Sequence, residues 1–130
     1  MLVFIYAELQ PDSAYTYQKP ILTKIKSSFP KVNSLDVDAY SEEFLVSQAC
    51  QLIEQADRCG IYFNSPDPEI SLGSTIRLVE VLIRRQQKNL VILNGEHQRL
   101  ERLFSNRAQL TFFKNPGEQL LFQYLKDLYS

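Results

Sequence analysis

Few side chains in this sequence are of the types that chemistry usually needs in number. His97 is the single histidine, so no histidine-based metal cluster can form. A Ser-His-Asp triad would have to use it at the start of a short exposed helix, where a capping or surface role is expected. Four glycines in all leave neither of the Gly-rich loops that cradle phosphates. No acidic pair ends the first apolar run in the way a phosphoacceptor domain requires. Cys50 and Cys59 lack metal-type spacing and read as reduced, buried thiols.

What remains is a set of carboxylates, tyrosines and hydroxyls. Glu80 follows Arg77 by three residues and precedes Arg84 by four, which on a helix makes a surface ion pair worth roughly 0.3 kcal/mol. Asp67 and Glu69 lie in a polar loop and read first as solvated charges. Asp12 with Ser13 suits a helix cap, and Ser71 or Ser74 can cap a later helix. Tyr6 sits in an apolar run, the setting of a core tyrosine with a satisfied hydroxyl.

The elements that must position these groups alternate along the chain. Leu2 to Ala7 is a continuous apolar strand. Gln10 to Ser13 breaks it, and a helix limited by Pro20 runs to about Ser28. Val32 to Val37 is a more polar strand, suited to an edge. Ser41 is the expected cap of a helix with Phe44, Leu45, Gln48, Ala49, Leu52, Ile53 and Ala56 at helical spacing. Cys59 to Phe63 is the next strand, followed by the long polar connection from Asn64 to Gly73. A third helix runs to about Gln87, and Leu90 to Leu93 is a fourth, all-apolar strand. Asn94-Gly95 reads as a turn, residues 97 to 104 as a short helix, and Leu110 to Phe113 as a fifth strand. The last helix takes Asn115 as cap and Pro116 as first residue, with Leu120, Leu121, Tyr124, Leu125 and Leu128 as its buried stripe.

This alternation predicts one α/β domain over residues 1–130: a doubly wound, open, parallel five-stranded sheet in a flavodoxin-like (Rossmann-like) three-layer sandwich. In such sheets ligands bind beyond the carboxyl ends of the strands, where the strand order reverses. Between strands one and three, the loops from Glu8 to Ala14 and from Asn64 to Ser74 would flank that crevice.

The segment from Leu52 to Phe63, with its I-x-x-A-D helix end ahead of an apolar strand, resembles nucleoside 2-deoxyribosyltransferases and their TIR-domain relatives. The first strand, Phe4-Ile-Tyr-Ala7, is similar to theirs, and Ser65-Pro-Asp-Pro-Glu69 resembles their acidic loop. The resemblance implies a nucleoside or nucleotide ligand and chemistry at an N-glycosidic bond. It casts Glu80 as nucleophile or cation stabiliser, Asp67 or Glu69 as holders of sugar hydroxyls, and Tyr6 as the group positioning the carboxylate. The family's D-x-G-T run is missing, with Gly73-Ser74-Thr75 nearby but out of register, and so is the Gly-Pro after its first strand. No cofactor or metal is implied.

A second, weaker resemblance is to regulatory STAS domains. From Cys59 onward the chain looks like their latter part, with Ser74 near their phosphorylated serine. That likeness implies a non-catalytic interaction or regulatory module.

Composition narrows the partners. A net charge of −1 argues against nucleic acid, and Arg84, Arg85, Lys88, Arg99, Arg102 and Arg107 read as a solvated face. The apolar start is too short for a signal peptide or membrane span, so a cytoplasmic location is expected. Phe122 and Tyr129, outside the main stripe of the last helix, point to a self-association or partner surface.

Overall fold

The computed structural model describes residues 1–9, 20–39, 41–85, 87, 89–105 and 107–130. The expected break at residues 10–13, the Asp12–Ser13 cap and Lys88 lie outside the described residues. Among the described residues, strands and α-helices alternate: β1 (Leu2–Glu8), α1 (Pro20–Ser28), β2 (Asn33–Asp38), α2 (Glu43–Gln55), β3 (Arg58–Ser65), α3 (Ile76–Arg84), β4 (Asn89–Gly95), α4 (Gln98–Phe104), β5 (Leu110–Lys114) and α5 (Glu118–Tyr129). A 3-10 turn, Gly73–Thr75, leads into α3.

The five strands pair in parallel in the order β2-β1-β3-β4-β5, which is the flavodoxin-like arrangement expected. β1 and β4 are apolar without alternation because helices cover the sheet on both faces. On one face Val3, Ile5 and Ala7 meet Val46 and Ile53 of α2, Leu78 and Leu82 of α3, and Leu100 and Phe104 of α4. On the other, Phe4, Tyr6 and Tyr62 meet Leu22 and Ile25 of α1 and Leu121 and Leu125 of α5. Each large aliphatic fully buried in these layers contributes roughly 1.5–3 kcal/mol. Among the described residues no helix is long and apolar enough to cross a membrane.

Several local expectations are corrected. Ser41 does not cap α2: its Oγ accepts from the Asp38 amide at 2.8 Å, and Glu42 takes the cap position without a side-chain bond. Asn94 and Gly95 continue β4 instead of turning. α3 ends at Arg84, and neither Ser71 nor Ser74 caps it; Thr75 takes the cap position without a side-chain bond. α5 starts two residues after Pro116, with Gly117 at the cap, because Asn115 adopts φ 52° and turns its side chain elsewhere. Leu120 is 52% exposed, whereas Tyr129 is drawn inward, donating to the Val3 carbonyl at 2.6 Å. Phe122 and Tyr129 both pack on Phe29, just beyond the end of α1.

The largest correction concerns Arg85, which is buried and not on a solvated face. Its guanidinium donates to the carbonyls of Ile53 and of Ala56 (2.7 Å) and to Asn89 Oδ1 (2.5 Å). It therefore closes the C-terminal end of α2, where carbonyls lack helical partners and the helix dipole favours a cation.

Candidate functional site

The strand order reverses between β1 and β3, so the crevice of this sheet opens above their carboxyl ends. β1 ends there on a carboxylate, Glu8, which is 1% exposed. Glu8 is opposite Asn64 of β3, and Asn64 is opposite Asn94 of β4. The three side chains form a row across the strand ends. Asn64 Nδ2 donates to both Glu8 oxygens at 3.0 Å, and Asn94 Nδ2 donates to Asn64 Oδ1 at 2.8 Å. Burial of a carboxylate is tolerated when hydrogen bonds hold it, and this row with Tyr6 supplies them. The row ends on Asn94, which is exposed. Asp38 of β2 takes the same register level on the other side of Glu8.

Beneath the row lies a pair of tyrosines. Tyr6 donates to Glu8 Oε2 at 3.2 Å. Its ring stacks on that of Tyr62, its register partner, with centroids 5.3 Å apart and planes 19° from parallel. Burial, followed by the charge of Glu8, raises the Tyr6 pKa well above the ordinary phenol value. The same causes push Tyr62 up to about 12. Both phenols are therefore protonated donors at neutral pH. A carboxylate, two amides and two phenols gathered toward the carboxyl ends of β1, β3 and β4 form a set suited to hydroxyl and amine groups of a small ligand.

The residues expected from the sequence are scattered around this crevice. Tyr6 lies within it and positions a carboxylate, but that carboxylate is Glu8. Glu80 is exposed on α3, which packs on the opposite face of the sheet from Tyr6, so the two do not meet. Among the described residues the Glu80 carboxylate has no ion-pair partner: Arg77 reaches Glu43 at 3.5 Å, and Arg84 donates to the Glu80 backbone carbonyl. Asp67 is exposed and shapes its own turn, accepting from the Glu69 amide at 2.9 Å. The Ser74 hydroxyl reaches the carbonyls of Ala39 (3.2 Å) and Asp38 (3.4 Å), tying the start of α3 to the end of β2.

Glu69 lines a separate cleft of about 280 Å³ between residues 68–72 and the first turns of α4, with Ser71, His97, Arg99 and Arg102. His97 is buried and does cap α4: its Nδ1 accepts from the Leu100 amide at 3.2 Å, so Nε2 carries the proton and donates to the Ile70 carbonyl at 2.7 Å. Both ring nitrogens are thereby engaged in holding the loop to the helix. Among the described residues no group of three or more His, Cys, Asp or Glu is placed to hold a metal ion.

Glu8, Asn64, Asn94 and Tyr62 did not emerge from the sequence as site residues. The signal for Glu8, Asn64 and Asn94 was a polar residue closing each of three apolar runs, Ala7-Glu8, Phe63-Asn64 and Leu93-Asn94. It becomes legible once the strand order brings those ends side by side. No protein-family model matches this chain, and neither does any curated protein.

Proposed function

We propose that the chain is a nucleoside- or nucleotide-binding domain whose ligand lies in the crevice over Tyr6 and Tyr62. The observation that carries this reading is the Glu8 carboxylate, fixed by Tyr6 and Asn64 at the point where the strand order reverses. Carboxylates hold sugar hydroxyls, and one placed beneath a ribose can also stabilise the charge that develops at the anomeric carbon as an N-glycosidic bond breaks. Glu8 takes over here the role that the family resemblance gave to Glu80. Calorimetric titration with nucleosides and their 5′-phosphates, paired with chromatography of released base, tests both levels. Glu8→Gln is expected to weaken binding about tenfold and to abolish any base release, whereas Glu80→Gln leaves both unchanged. Loss of activity in Glu80→Gln, with Glu8→Gln intact, would sink the assignment.

A second reading, a non-catalytic interaction module, has one observation in its favour: Phe44, at the start of α2, is 78% exposed. Light scattering of the wild type and of Phe44→Ser checks it, since a self-associating domain would become monomeric in the variant.

A further inference from the structure

Tyr62 is 6% exposed, yet its hydroxyl hydrogen-bonds to no described residue. A buried tyrosine ordinarily finds a partner for that O–H. Among the described residues no fully sealed side-chain oxygen or nitrogen lacks a partner, so the small exposure Tyr62 keeps includes its hydroxyl. Tyr6 shows which way that hydroxyl points. The two rings are stacked register partners, and the Tyr6 hydroxyl reaches Glu8, two residues further along β1. The Tyr62 hydroxyl is thus carried toward the carboxyl ends of the strands, where the Glu8 charge acts on it. Among the described residues this donor, at the carboxyl end of the sheet, has no acceptor.

We propose that the Tyr62 hydroxyl donates to a sugar hydroxyl of the ligand and thereby sets a preference for ribosides that carry it. This rests on the nucleoside reading above. The acceptor must be a neutral oxygen, because a phosphate or carboxylate there would meet the like charge of Glu8, with Asp38 beside it on β2. A sugar hydroxyl and a base carbonyl are the two neutral oxygens a nucleoside offers. The hydroxyl suits the place better: it can accept from Tyr62 and donate in turn among carboxylates, whereas a carbonyl only accepts.

The test is calorimetric titration of the wild type and Tyr62→Phe with adenosine, 2′-deoxyadenosine, 3′-deoxyadenosine and uridine. Phenylalanine keeps the ring and its stack, and a thermal melt verifies that the variant is folded. Adenosine carries no base carbonyl, so its affinity is expected to fall about five- to tenfold in Tyr62→Phe. One of the two deoxyadenosines should bind wild type and variant alike, identifying the hydroxyl that is read. If only uridine is weakened, the partner is a base carbonyl and the proposal is overturned. Equal binding of all four ligands to both proteins overturns it too, while leaving the nucleoside reading intact. Failure of the wild type to bind any of them removes that reading and this one together.

Discussion

Two polar groups are buried at opposite ends of this sheet, and they are held in different ways. Arg85, near the amino ends of the strands, sends its donors into backbone carbonyls of α2 and the Asn89 amide. Glu8, at the carboxyl ends, is bound by side chains, and its row runs outward to the exposed Asn94. The first network closes on the fold that made it. The second runs out to the exposed Asn94 and lies beside a phenol, Tyr62, that bonds no described residue. The first arrangement serves the structure, and on the reading proposed above the second serves a ligand.

Substitutions can break or sharpen that contrast. The largest effect is expected from Arg85→Met, which strands the α2 carbonyls and should cost about 3 kcal/mol in urea unfolding, with nucleoside affinity of the folded fraction unchanged. Asn64→Leu should cost about 2 kcal/mol, since it removes both amide bonds to a buried carboxylate, and it should weaken the ligand as well. If Arg85→Met changed affinity as much as Asn64→Leu does, the division between the two sites would fail.

The phenols give a third expectation. The folded Tyr62 pKa of about 12 lies above the ordinary 10.0, so the fold favours the protonated form. Its contribution is fully present below pH 10 and is lost as the pH rises from there through about 12. Tyr6 and Tyr129 are shifted in the same direction. Thermal melts should therefore drop steeply in that alkaline range, and tyrosinate absorbance should rise together with unfolding instead of before it. The smallest effect belongs to Glu80→Ala, expected within about 0.5 kcal/mol of wild type, because the exposed carboxylate has no ion-pair partner among the described residues.

The layered fold was legible because burial on both faces leaves a plain trace. Val3 to Ala7 and Leu90 to Leu93 have no polar residue to interrupt them. Helix starts were less legible, since caps depend on what else a side chain can reach. Asn115 looked like a cap, but its Oδ1 accepts from Gly95 at 2.6 Å and its Nδ2 donates back to the Gly95 carbonyl at 3.1 Å. That exchange, 20 residues away in sequence, won over the local one. Arg85 was misplaced for a similar reason: its neighbours Arg84 and Lys88 suggested a charged face, and only the docked end of α2 explains its burial. Of the site, Tyr6 was found and Glu8 was not, because a lone acid after an apolar run gains meaning only from Asn64, 56 positions further on.

The Glu8 row also has a direction. A carboxylate can only accept, so Asn64 must turn its amino group toward Glu8 and its oxygen toward Asn94. Asn94 must in turn give its amino group to Asn64, which leaves its own oxygen pointing away along the row. The charge at the hidden end thus dictates which atom is shown at the exposed end, as the first domino in a line decides how the last one falls. Neutralising Glu8 would remove that instruction, and both amides could turn over together. A change of charge in the interior would then be read at the surface with no movement of the backbone.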